Sequence, residues 1–295
     1  MFGWSLDEKA SFAVLDAYVE GGGNFIDTAD VYGRRGAGAG GSERIIGRWM
    51  AARGNREELV IATKVGMSAE LHGLSEATVR RGIDGSRQRL GIDTVDLYYA
   101  HRDDPDTPLA ETLATFAALI EEGKIRYAAA SNYGAPRLRE ALSVGEREGM
   151  ASYVALQPHY NLMERERYEG ELAALCERHG LACIPYFGLA RGFLTGKYRR
   201  GGPDVESPRA QGVRDSYFNE RGFAVLEALD EVAAAHHASV AAVALAWLRA
   251  QPAVLAPIAS ATSPAQLAEL LPSVRLELSA AEIARLSAAR PLSRP

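Results

Sequence analysis

The sequence predicts an α/β fold, specifically a (β/α)8 barrel of the TIM type, and three observations point there. Short apolar runs of β character alternate with amphipathic stretches of helical spacing along almost the whole of the 295 residues. The glycine clusters do not form the G-x-G-x-x-G turn of a doubly wound dinucleotide fold, since Gly21 to Gly23 precede a strand and Gly36 to Gly41 form a loop after Tyr32. Finally, the apolar runs end on functional-looking polar residues, as strands of a parallel barrel do at their C-terminal ends.

Taken in order, the candidate strands are 24–28, 59–64, 95–100, 125–130, 153–157, 181–186 and 254–258, seven in all. Between them, Leu109, Leu113, Phe116, Ala117 and Ile120 share one helical face, as do Leu138, Ala141, Leu142 and Gly145. Ser42 with Glu43 and Ser75 with Thr78 read as helix starts, and Gly123, Gly149 and Gly180 as helix ends. The stretch from about 187 to 217, rich in Gly, Arg and Pro, reads as a loop covering the site. The expectation is one barrel domain over residues 1–295 with that loop as its cover.

Composition narrows the function. The chain is 47% hydrophobic and carries a net charge of −5, which fits a globular core and excludes broad electrostatic capture of nucleic acid or anionic lipid. Its two cysteines, Cys176 and Cys183, read as reduced structural thiols, and no cluster has metal-ligand spacing, so no metal is expected. The start, MFGWSLDEKASF, lacks a signal-peptide pattern, and no apolar run nears the roughly 18 residues of a membrane span. The cytoplasm is the expected location.

Singly, the strand-end residues have ordinary readings. Lys64 could snorkel from a strand end, His101 could be a satisfied imidazole, Tyr32 could pack and Asp27 could cap a loop. Together they form a coherent set. A phenol, with an ordinary pKa of about 10, holds a proton at neutral pH and can give it to an oxygen gaining charge. Lys64 would stabilise the phenolate left on Tyr32, Asp27 would keep Lys64 charged and oriented, and His101 would direct a substrate carbonyl. No side chain supplies hydride, so a cofactor must. Ser131, Asn132 and Gln157 offer donors and acceptors for a carboxamide, and Tyr186 a ring to stack on, although each also has a turn, strand-end or core reading. Phe2 or Trp4, with Tyr32, His101, Tyr133 and the covering loop, are the candidate walls of the substrate pocket.

In this order the motifs resemble the aldo-keto reductase superfamily: GGNFIDTADVYG at 22–33, IATKVG at 61–66, DLYYAHRDDPDTPLAETL at 96–113, EEGKIRYAAASNY at 121–133, LQPHYNLMERE at 156–166, PYFGLARGFLTGKY at 185–198 and PIASATSPAQL at 257–267. The resemblance covers nearly the whole chain. It implies a catalytic tetrad of Asp27, Tyr32, Lys64 and His101, nicotinamide contacts from Ser131, Asn132 and Gln157, and stacking by Tyr186. It also implies a cofactor-covering segment through Leu189, Arg191, Gly192, Leu194, Thr195 and Lys197, and an adenosine segment through Ser260, Ala261, Thr262, Gln266 and Glu269.

Two departures bear on these expectations. Ser260, Gln266 and Leu270 stand where many family members carry a cation for the 2′-phosphate and an Asn for the adenine, so NADP is expected first and NAD is the alternative. Tyr186-Phe187-Gly188 replaces a commoner Tyr-Ser-Pro. Met1 falls near where the family's first barrel strand would finish, so the barrel is expected to lack the N-terminal hairpin and that strand. The function implied is reduction of an aldehyde or ketone to an alcohol by NAD(P)H, with a small-molecule carbonyl substrate and no nucleic-acid or membrane partner. The alternative is a catalytically weak nicotinamide-binding sensor on the same barrel. A hydrolytic barrel would need paired carboxylates at strand ends, where only Asp27 qualifies.

Overall fold

The computed structural model describes residues 1–33 and 38–289, so part of the glycine loop predicted at 36–41 lies outside the described residues. Along the chain come α1 (Glu8–Glu20), β1 (Phe25–Asp27), α2 (Gly41–Arg53), β2 (Val60–Val65), α3 (Glu76–Leu90), β3 (Val95–Ala100), α4 (Leu109–Glu121), β4 (Ile125–Ser131), α5 (Ala135–Glu148) and β5 (Ala155–Gln157). There follow α6 (Glu171–His179), β6 (Ala182–Cys183), α7 (Ala210–Tyr217), α8 (Glu220–His236), α9 (Val240–Arg249), α10 (Pro264–Leu270) and α11 (Ala280–Ala288). This is the α/β alternation of a (β/α) barrel without its first elements. Among the described residues no strand precedes β1, and the segment before α1 closes only a Phe2–Leu6 bridge.

The chain divides into two compact units. The first comprises Met1–Gln157, Arg178–Leu181 and Ser260–Leu267; the second comprises Pro158–Glu177, Ala182–Ala259 and the chain from Ala268 on.

In the first unit β1 to β5 pair parallel in sequence order, with Asp27 level with Ala62, Lys64 with Tyr99, Tyr99 with Ala129, and Ser131 with Gln157. Parallel pairing brings every strand's C-terminal end to one edge, which is how residues distant in sequence come to share a site. β3 is buried along its whole length, as expected of a parallel strand covered on both faces. The helices pack by the faces read from the sequence: Leu109, Leu113 and Phe116 of α4, and Leu138, Ala141, Leu142 and Gly145 of α5, are all buried. The Ser75 hydroxyl accepts from the Thr78 amide and caps α3, as its spacing predicts.

The start of α2 differs from expectation. Its N-cap is Gly40, and Ser42 and Glu43 lie inside the first turn with buried side chains turned to other partners. The tight turn before it depends on Gly33, at φ +90°, where a Cβ would come within 2.9 Å of the Gly41 Cα.

In the second unit the seventh predicted strand, 254–258, is not a strand. It makes a bridge from Val254 to Cys183, and toward the segment after α6 the Leu255 amide donates to the Cys183 carbonyl and the Ile258 amide to the Pro185 carbonyl. Prolines explain this. Pro257 within the run and Pro185 beside it lack the N–H that a ladder needs. Cys176 and Cys183 are free and buried. The predicted covering loop is irregular only in part, holding a short 3-10 segment at Ala190–Thr195 and ending in α7. Among the described residues no single helix is long and apolar enough to cross a membrane.

Candidate active site

The first unit gathers four of the predicted residues at the C-terminal edge of its sheet. Side chains alternate along β2, so Lys64 faces one way and Thr63 the other. Lys64 is fully buried, and its Nζ donates to Asp27 Oδ2 at 2.5 Å and to the Thr28 carbonyl at 2.7 Å. It also stands 5.1 Å from the centre of the Tyr32 ring and 5.5 Å from that of Tyr99. Asp27 Oδ1 accepts from Gln157 Nε2 at 2.9 Å, so both carboxylate oxygens are occupied. The His101 ring meets Tyr32 edge-on, with centroids 5.9 Å apart.

The charges follow from burial and pairing. Desolvation opposes the Lys64 ammonium, but the Asp27 carboxylate and the Tyr32 hydroxyl outweigh it, and the pKa moves up. Burial of the hydroxyl end raises the Tyr32 pKa, with Lys64 pulling the other way, even though 39% of the residue's surface is exposed. The phenol therefore holds its proton at neutral pH. His101 is pushed down to about 3 by burial, then by the Lys64 and Arg102 charges, so it is a neutral imidazole. Its buried Nδ1 has no hydrogen-bond partner. A proton-bearing phenol, a fixed cation and a neutral imidazole can donate a proton and orient a carbonyl oxygen.

Beside this cluster, Asn132 adopts φ 57°, and its Nδ2 donates to the His101 carbonyl at 2.9 Å and to Ser131 Oγ at 3.0 Å. Ser131 Oγ donates to the Gln157 carbonyl. These three residues thus brace one another and, through Gln157, the tetrad. Tyr133 is turned into the core: it is 3% exposed, and its hydroxyl bonds that of Tyr153. Trp4 lies half-buried in the turn between Phe2 and Leu6. Ser260 is exposed, and Gln266 Oε1 accepts from both the amide and the hydroxyl of Thr262.

In the second unit Tyr186 stacks on His159, with centroids 5.2 Å apart and planes 17° from parallel, so one face of the tyrosine is covered by histidine. The segment after it turns sharply: Phe187, Ala190 and Arg191 have positive φ, and Gly192 sits at φ 100°. Leu189 and Leu194 are buried, and the Leu189 carbonyl accepts from the amides of Gly192 and Leu194. The guanidiniums of Arg191 and Arg209 lie over the Phe187 ring at 5.3 and 5.7 Å. Lys197 is exposed, yet partial desolvation and then the Arg209 charge lower its pKa. Glu269 is exposed, and its carbonyl accepts from Ser239 Oγ.

Sequence reading missed His159 and Arg209. The first had a usable signal, a histidine two residues beyond the end of β5; the second, in an Arg-rich stretch, had none. It also missed Asp30 and Glu43, buried beside the tetrad, and the half-buried Arg89 paired with Glu43.

A family model described as the Aldo/keto reductase family matches residues 1–291. The chain is 33% identical over 279 residues, 91% of this chain and 83% of the relative, to a probable voltage-gated potassium channel subunit beta from Oryza sativa subsp. japonica. It is 32% identical over 286 residues to an uncharacterized oxidoreductase, YrpG, of Bacillus subtilis (strain 168), covering 94% and 86% of the two chains. To the aldo-keto reductase yakc [NADP(+)] of Schizosaccharomyces pombe it is 31% identical over 297 residues, covering 96% and 83%. With a model match over 291 of its 295 residues and a parallel sheet that ends in Asp27, Lys64 and His101, the chain belongs to the aldo/keto reductase family.

Proposed function

We propose that the protein reduces an aldehyde or ketone to an alcohol, with NADPH as the first-choice cofactor and NADH as the alternative, and with Tyr32 as the general acid. The observation that carries this reading is the Asp27–Lys64 ion pair held against the Tyr32 ring. Asp27 keeps Lys64 charged, and Lys64 stabilises the phenolate as the Tyr32 proton leaves for the substrate oxygen. The neutral His101 imidazole carries one N–H and orients that oxygen by a hydrogen bond. When bound, the nicotinamide supplies the hydride.

The residues present fit such a cofactor. Ser131, Asn132 and Gln157 carry amide and hydroxyl groups suited to a carboxamide, and Tyr186 carries a ring suited to a nicotinamide. Arg191, Lys197 and Arg209 gather positive charge, and among the described residues no carboxylate pairs with Arg191 or Lys197, as phosphates would need. Leu189, Gly192 and Leu194 would belong to the cofactor-covering segment, and Ser260, Thr262, Gln266 and Glu269 would supply the adenosine contacts. No Lys or Arg occurs from Ser260 to Glu269. Trp4 and Tyr133 remain the proposed substrate-side residues, Tyr133 through its position after Asn132. We assign the whole to one barrel domain with its covering loop at about 187–217, working in the cytoplasm on a small carbonyl compound.

The test is oxidation of NADPH and of NADH, followed by absorbance, against a panel of aldehydes and ketones. Carbonyl-dependent oxidation is expected, faster with NADPH at low concentration. A second reading, a weakly active nicotinamide-binding sensor, is favoured by the similarity to a protein named as a potassium channel subunit beta. Tight cofactor binding with no turnover on any carbonyl would select it.

A further inference from the structure

Asp30 is 4% exposed, and neither of its carboxylate oxygens has a hydrogen-bond partner. Its amide donates to the Lys64 carbonyl at 3.3 Å. The turn it occupies is tied down on both sides. Lys64 Nζ holds the Thr28 carbonyl, Thr28 Oγ1 donates to Ser42 Oγ at 2.8 Å, and the Ser42 amide donates to the Tyr32 carbonyl at 3.3 Å. Next to Ser42, the fully buried Glu43 accepts from Thr63 Oγ1 and forms an ion pair with Arg89. The titratable groups facing Asp30 are thus Glu43 on α2, Arg89 on α3, Lys64 on β2, Tyr98 on β3, and Asp27 and Tyr32 on either side in sequence.

A buried carboxyl with no well-formed hydrogen bond is far costlier charged than neutral, and this one is unused by the chemistry above. We propose that Asp30 is a positioning residue for the Tyr32–Lys64 pair, its own protonation setting how strongly Lys64 acidifies Tyr32. Burial first, then the Glu43 charge, push Asp30 up to about 7, while Arg89, the Val31 amide and Lys64 hold it back. The sign follows. Below about pH 7 Asp30 is neutral, and Lys64 acts on Tyr32 opposed by burial and by the Asp27 charge. As Asp30 ionises, a second negative charge raises the Tyr32 pKa further, making it a weaker donor.

The inference rests on Tyr32 being the proton donor, and the experiment separates the two. In protein labelled with carboxyl-¹³C aspartate, without cofactor, the resonance missing from Asp30→Asn should titrate near pH 7. The Tyr32 ¹³Cζ resonance should carry an inflection at the same pH, absent in Asp30→Asn. Glu43→Gln should move both inflections to lower pH, which serves if Asp30→Asn does not fold. In turnover, reduction by the wild type should fall about two- to tenfold above pH 7, a step absent from Asp30→Asn. An Asp30 resonance titrating near 4, or a Tyr32 resonance blind to Asp30, would overturn the proposal. Absence of turnover with any carbonyl would overturn the reductase reading and leave the resonances to decide this one.

Discussion

The edge of the first unit's sheet and the segment from Tyr186 to Arg209 in the second hold their charges in opposite ways. At the sheet edge Lys64 is fully buried, and Asp27 bonds both Lys64 and Gln157. After Tyr186, Arg191 and Arg209 lie over the Phe187 ring, and the backbone of Phe187, Ala190 and Arg191 is held at positive φ. Charge that must keep one geometry through a reaction is fixed by burial and pairing. In the proposed function the cations after Tyr186 are the ones that meet a ligand, and the backbone beside them is locally strained.

That contrast can be broken from either side. The largest effect is expected from Lys64→Met, which leaves Asp27 as a buried carboxylate without its cation. Unfolding in urea should show a loss of about 3 to 5 kcal/mol, and adding Asp27→Asn should restore part of it. Turnover should fall at least about 100-fold in both variants. In the second unit, Arg209→Ala should leave stability nearly unchanged and weaken NADPH binding about tenfold, measured by fluorescence titration, with a smaller loss at high salt.

The third effect is one of pH. The folded pKa of His101 is depressed to about 3, so as pH falls below the unfolded value near 6.5 only the unfolded chain takes up the proton. Stability should therefore fall by up to about 1.4 kcal/mol per pH unit between 6.5 and 5, and the slope should flatten in His101→Gln. The reduction rate should show no inflection near 6.5 from this residue. Smallest of all, Ser75→Ala should cost about 1 kcal/mol through the lost cap on α3 and leave turnover unchanged.

What the sequence made legible follows from periodicity and strand direction. β3 falls at the residues its apolar run predicts, and parallel order places Asp27, Lys64, His101 and Gln157 at one edge before any contact is known. The run at 254–258 looked like a strand because apolarity does not register the N–H groups its prolines lack. Ser42 and Glu43 looked like a helix start because that pattern is local, whereas their partners, Thr28, Thr63 and Arg89, come from distant segments. The stacking of His159 on Tyr186 depends in the same way on two segments meeting across a bridge.

The central claim is that Tyr32 gives the proton and Lys64 makes the gift possible. The direct measurement is carbonyl-dependent NADPH oxidation by Tyr32→Phe, alongside its NADPH dissociation constant. The account predicts NADPH binding within about twofold of the wild type and turnover lower by about 100-fold or more. Turnover by Tyr32→Phe equal to that of the wild type would contradict it.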